Sequence, residues 1–205
     1  DRLAAGVAGA MLAGLPVVVN LAGMEDVFVW VGLLQGVAVT AALGEAPLLA
    51  AAATVLPAVL RLPQTKASYS TGSPDTLRAD ALAAAATYDQ QNGGTGQFDP
   101  AQYDIDSVVF SSINGAQWGF GGLAFVGAKG MWVNGEFDFR VYSHETGHNY
   151  GLQHANRWDV TGANSIDPNG THNEYGDDYD AMGANYADKP VHFNEWFKAY
   201  LGWLN

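Results

Sequence analysis

Residues 144–154 read His144-Glu145-Thr146-Gly147-His148-Asn149-Tyr150-Gly151-Leu152-Gln153-His154. His144 and His148 are four apart, a spacing that puts both imidazoles on one face of an α-helix. Two neutral imidazoles held in that way can grip one Zn²⁺ ion. Glu145 sits one position along, close to such a metal but outside its ligand set. It is placed to take a proton from a metal-activated water. Gly151 stands where the helix should end, and glycine tolerates the positive φ of a sharp turn there. The turn can return His154 as a third nitrogen ligand. Three protein ligands leave one coordination position open for water, the pattern of a catalytic rather than a structural zinc site. Of the five histidines in the chain, three fall in this string, which argues against chance. His172 and His192 read as surface residues.

Several elements must position this string. Ser73-Pro74-Asp75 is a helix start: a capping hydroxyl, a proline at the first helical position and an acid in the first turn. The helix is predicted to run to about Tyr88. Gln90–Pro100 carries three glycines and reads as a loop. Ile105–Phe110 is a short β-branched run and reads as a buried strand. Gly122–Gly127 and Met131–Val133 flank Ala128-Lys129-Gly130 and read as a hairpin. The zinc-string helix starts near Asn134 or Asp138. Phe193, Trp196, Phe197, Tyr200 and Trp203 have near-helical spacing, which predicts a C-terminal helix packed on the core.

The chain of 205 residues carries a formal charge of −12 and no cysteine. The acidity excludes general affinity for nucleic-acid backbones. The lack of cysteine excludes disulfides, thiolate zinc sites and cysteine nucleophiles. Composition changes near residue 61: of the first 60 residues, 44 are Ala, Val, Leu or Gly. The longest uncharged window, 3–24, reaches the length of a bilayer span, about 20 residues. Pro16 and Asn20 interrupt it, and no basic cluster flanks it. The segment therefore reads as buried parts of the same domain: a strand at Pro16–Leu21, a helix or strand near Val27–Leu43, and a strand at Thr54–Leu60.

Downstream of His154, Tyr175-Gly176-Asp177-Asp178-Tyr179-Asp180-Ala181-Met182-Gly183 places Met182 28 residues after the third histidine. With the extended zinc string, this resembles the metzincin zinc endopeptidases, in which a methionine turn lies beneath the metal. Further segments are Arg61-Leu62-Pro63-Gln64-Thr65, the hairpin into Trp132-Val133-Asn134-Gly135, and the closing Leu201-Gly202-Trp203. Together they narrow the resemblance to the gametolysin family, over about residues 55–205.

That resemblance implies an α+β metzincin-like fold, a twisted sheet with an active-site helix and a small C-terminal subdomain. The upper subdomain would span residues 1–151 and the lower 152–205. It implies one catalytic Zn²⁺ held by His144, His148 and His154, with Glu145 as catalytic base and Met182 as the Met-turn. It also implies secretion, and extracellular or cell-wall proteins as substrates. An extended peptide would be bound by strand addition at Leu123–Val126. Some metzincins use a tyrosine after the Met-turn as an extra ligand or oxyanion helper. Tyr186, four residues past Met182, has a different spacing and reads as a packing or rim residue.

Asp177, Asp178 and Asp180 offer carboxylates for Ca²⁺, but a loop that fixes the turn through backbone hydrogen bonds is preferred. Asn169-Gly170-Thr171 is a sequon and equally an ordinary turn. Two other readings stand beside the peptidase: a membrane-tethered protease, and a non-catalytic binding module that keeps the zinc. An intact Glu145 weighs against the second. Oligomeric state has no signal in the sequence.

Overall fold

The computed structural model describes residues 26–35, 52–135, 138–184 and 191–204, with the backbone alone for 26–35 and 52–55. The expected strand Pro16–Leu21 and the site candidate Tyr186 lie outside these residues.

A six-stranded sheet organises the larger part of the chain. Its strands are β1 (Asp26–Gln35), β2 (Ala52–Val55), β3 (Leu60–Thr65), β4 (Ile105–Phe110), β5 (Gly122–Ala124) and β6 (Met131–Asn134). β1 pairs antiparallel with β4 along six residues, with Val31 opposite Val108. On its other side β1 pairs antiparallel with β2 through its C-terminal half and with β3 through its N-terminal half. β4 and β6 run parallel, and β5 closes one edge antiparallel to β6. The element expected near Val27–Leu43 is thus a strand where described, hydrogen-bonded to the strand at Ile105–Phe110. The single strand expected at Thr54–Leu60 is instead two strands, β2 and β3, separated at Leu56–Val59. Pro57 has no N–H for a ladder, which interrupts the apolar run. Among the described residues no helix is long and apolar enough to cross a membrane.

A short helix, α1 (Lys66–Thr71), follows β3 without a break. Helix α2 (Pro74–Gln91) starts at Ser73, whose hydroxyl accepts the Asp75 N–H at 3.2 Å. It buries Leu77, Ala81 and Ala85, a stripe at helical spacing, against Leu60, Leu62, Val108, Phe110 and Trp132. Small alanines let the helix approach the sheet closely. A partly buried ion pair also joins helix to sheet. Arg78 donates to both carboxylate oxygens of the fully buried Asp106 in β4, each at 2.7 Å.

Two buried asparagines set the position of the β5 edge. Asn134 of β6 accepts the Ile113 N–H at 2.7 Å and donates to the carbonyls of Ile113, Trp118 and Phe120. This pins the 111–121 connection leading into β5. Asn149, at the end of helix α3 (Phe139–Asn149), donates to the carbonyls of Phe125, Ala128 and Gly130. The β5–β6 hairpin is therefore held against the helix that carries the zinc string.

Beyond α3 the described residues are mostly irregular. They contain a two-stranded ribbon, β7 (Arg157–Asp159) with β8 (Thr171–Asn173), and helix α4 (Glu195–Tyr200). Their core gathers Leu152, Ala155, Ala181, Met182, Phe193 and Leu201. The expected C-terminal helix is shorter than its aromatic spacing predicts. Trp196 and Tyr200 are 75% and 65% exposed, while Phe193 before the helix is buried. Asn194 caps α4 by accepting the Phe197 N–H, so Phe193 precedes the helix.

Candidate active site

Asp138 starts α3 by accepting the Val141 N–H at 2.8 Å. Eleven residues of helix then carry His144, Glu145 and His148. The helix ends in a Schellman turn. Gly151 N–H bonds the His148 carbonyl at 2.8 Å and Leu152 N–H bonds the Gly147 carbonyl at 3.0 Å. Gly151 has φ 93°, a conformation that only glycine adopts cheaply. The reversal carries the chain back across the helix end, and His154 joins the other two histidines.

The three imidazoles come together. Ring centroids are 4.7 Å apart for His144 and His148, 5.0 Å for His148 and His154, and 5.4 Å for His144 and His154. One ligand nitrogen from each lies within 4.8 Å of the others, an arrangement that could hold a metal ion. Each ring is turned by an acceptor at Nδ1. Ala181 O lies 2.9 Å from His144 Nδ1, Leu152 O lies 2.8 Å from His148 Nδ1, and Glu174 Oε1 lies 2.7 Å from His154 Nδ1. Carbonyl and carboxylate oxygens only accept, so each Nδ1 carries the proton and each Nε2 keeps its lone pair. A cluster of three imidazole nitrogens with orienting acceptors fits Zn²⁺. Burial lowers His144 to about 4, with repulsion from His148 and His154 adding to it. Burial also lowers His148. Both rings are therefore neutral and free to coordinate at pH 7.

Glu145 is 6% exposed. Burial pushes its carboxyl up to about 7. It abuts the edge strand: a β-carbon on Gly122 would lie 2.3 Å from Glu145 Oε1. Only glycine at the start of β5 leaves room for that carboxylate.

Met182 is fully buried under the helix. A β-carbon on Gly147 would meet its sulfur at 2.3 Å. The turn carrying it is tied on both sides. Asp180, also fully buried, accepts the Met182 N–H at one oxygen and the Asn194 N–H at the other, each at 2.6 Å. Burial raises the Asp180 carboxyl, while the two N–H donors work against that rise. Met182 O accepts the Ala155 N–H at 2.8 Å, linking the turn to the residue after His154. Among the three acids of this loop, Asp177 likewise caps a turn by accepting the Tyr179 N–H.

Sequence reasoning missed three residues here. Gly122 and Glu174 belong to no motif of the zinc string. Tyr175 stands in the sequence only within the segment that resembles the Met-turn, yet its ring lies 3.8 Å from that of His154 and 5.7 Å from that of His144. The one signal for Glu174 is that a metal-binding histidine needs a partner at its second nitrogen. Nothing in the sequence says which acid supplies it.

A family model described as Metallo-peptidase family M12B Reprolysin-like matches residues 55–194. No curated protein and no solved structure matches the chain.

Proposed function

Since the chain belongs to the reprolysin-like M12B metallopeptidases, we propose that it is a zinc-dependent endopeptidase of the metzincin type, with gametolysin-like features. Zinc-dependent peptidase activity, and so a protein or peptide substrate, follows from the family itself. The observation that carries the finer reading is the cluster of His144, His148 and His154, with ligand atoms within 4.8 Å, beside the buried carboxyl of Glu145.

In this reading His144, His148 and His154 hold the metal through Nε2. When bound, zinc supplies Lewis acidity, which polarises the scissile carbonyl and lowers the pKa of water. Glu145 accepts the proton of the attacking water and delivers it to the leaving nitrogen. Burial suits the carboxyl to both steps, since it raises the proton affinity toward neutrality. Met182 supports the rings from below.

The substrate lies extended along β5. That strand is a sheet edge, and Leu123, Phe125 and Val126 beside it are 39%, 42% and 46% exposed. Unpaired backbone groups on such an edge recruit a peptide by strand addition. We place the cleft at the end of α3, between an upper part that ends at residue 151 and a lower part that begins at residue 152. We assign the substrates to extracellular or cell-wall proteins and the enzyme to the secreted fraction, on the gametolysin-like sequence features.

Glu145→Gln tests the assignment. The amide fills the same volume but accepts no proton. Turnover of a denatured protein substrate should fall by about 10²–10⁴-fold while one zinc per chain is retained. Wild-type turnover in the loaded variant would leave a non-catalytic role for Glu145 and sink the mechanism.

A further inference from the structure

We propose that Glu174 and Tyr175 form a clamp that positions His154 as a metal ligand. The clamp is made by the left-handed backbone at Tyr175. The proposal rests on reading His154 as the third zinc ligand.

His144 and His148 ride on one helix, which fixes their separation. His154 does not. Residues 152–156 have no regular secondary structure, so the ring must be held from outside. Two consecutive side chains from beyond β8 hold it. Glu174 Oε1 accepts a hydrogen bond from His154 Nδ1 at 2.7 Å. The Tyr175 ring packs on the imidazole with centroids 3.8 Å apart and planes inclined at 32°.

Adjacent residues of an extended chain point to opposite sides. Glu174 and Tyr175 follow β8 directly and yet both meet His154. Tyr175 has φ 61°, the only positive φ at a non-glycine residue among those described. A bulky side chain disfavours that conformation, and it persists where surrounding bonds enforce it. Here Tyr175 N–H donates to Asn156 Oδ1 at 3.0 Å, and Tyr175 O accepts the Ala184 N–H at 2.7 Å. Asn156 lies two residues after His154, so the same segment both receives the clamp and enforces its backbone. Gly176 N–H closes the turn on Asn173 O at 3.1 Å, so Glu174 and Tyr175 are its central residues, and with Tyr175 left-handed both side chains meet one ring.

The pair has little value for folding alone. Glu174 is 60% exposed and His154 23%, and exposed ion pairs contribute little to stability. Its value lies in the ligand: the carboxylate fixes the ring tautomer that presents Nε2, and raises its basicity.

The test is made on the full chain with Zn²⁺ and Co²⁺ alone as probes. Zinc affinity is measured by competition with a chromophoric chelator for wild type, Glu174→Ala, Glu174→Gln, Tyr175→Ala, Tyr175→Phe and His154→Ala. Visible spectra of the Co²⁺ forms and thermal midpoints of the metal-free forms accompany it. Glu174→Ala should weaken zinc binding by about 10–100-fold and shift the Co²⁺ bands, with the metal-free midpoint unchanged. Glu174→Gln keeps an acceptor and should fall between Glu174→Ala and wild type. Tyr175→Phe keeps the stacked ring and should recover the affinity that Tyr175→Ala loses. Wild-type affinity and an unchanged spectrum in Glu174→Ala would overturn the clamp while leaving the zinc reading intact. Equal affinity in wild type and His154→Ala would instead remove His154 from the ligand set, and the clamp with it.

Discussion

The sulfur of Met182 occupies the space that a β-carbon on Gly147 would need, 2.3 Å from that position. Gly147 lies in the helix between the two histidines of the zinc string, where glycine costs helix stability relative to alanine. The contact explains its presence. Gly147→Ala should therefore destabilise the protein despite its better helix propensity, by about 1–3 kcal/mol as overpacking typically does. Phe193, whose ring edge lies 2.9 Å from the same position, closes the other route for relief. Urea unfolding of the zinc-loaded protein measures this. A variant more stable than wild type would show that Met182 does not press on the helix.

Gly122→Ala acts on the other side of the same helix. The new β-carbon would lie 2.3 Å from Glu145 Oε1 and 2.7 Å from its Cδ. The side chain is flexible and can swing away, so the expected loss is in turnover rather than in folding. kcat should drop while zinc content and thermal midpoint stay close to wild type. Unchanged kcat would mean that the position of Glu145 against β5 is immaterial.

Asp180→Ala removes the acceptor for two backbone N–H groups, those of Met182 and Asn194. The orphaned Met182 donor is buried and costs about 1–3 kcal/mol, and the half-buried Asn194 donor costs less. Asp180→Asn should restore only part, because its one carbonyl oxygen serves one donor and its NH₂ group faces the other. Denaturant titration of the three proteins checks the order. Equal stability of the Ala and Asn variants would contradict the two-acceptor account.

Without metal, Glu145 and His144 move stability in opposite directions with pH. His144 falls from an ordinary 6.5 to about 4 on folding. Between those values the unfolded chain binds a proton that the folded chain does not, so stability is lost as pH falls from 6.5 toward 4. His148, also lowered, adds to this slope. Glu145 rises from 4.5 to about 7. Between those values the folded chain keeps a proton that the unfolded chain releases, so stability is lost as pH rises. Glu145→Gln deletes the second effect. Metal-free Glu145→Gln should gain stability from pH 4.5 to 6.5 more steeply than metal-free wild type. Parallel curves of urea midpoint against pH would refute the buried, raised carboxyl.

Local periodicity determined much of this site from sequence. The i, i+4 spacing of His144 and His148 requires only a helix, and the glycine at 151 requires only a reversal at its end. Both are short-range consequences of backbone geometry, as is the start of α2 at Ser73-Pro74. The lack of flanking cations likewise placed the N-terminal apolar runs inside the domain rather than in a bilayer, and β1 is a strand of its sheet. Such reasoning failed where composition concealed a local break, at Pro57 between β2 and β3. It also failed at the C-terminus, where aromatic spacing suggested a longer helix than Asn194 caps. What only the tertiary structure decided are contacts between residues far apart in the chain. Gly122 makes room for Glu145, and Asp180 joins the Met182 turn to Asn194. Glu174 and Tyr175 meet His154 because the chain turns at these two residues, with Tyr175 in the left-handed conformation. Side-chain identity carries no record of such meetings. They depend on how strands pair and loops close, and many sequences satisfy the same local rules without bringing these residues together.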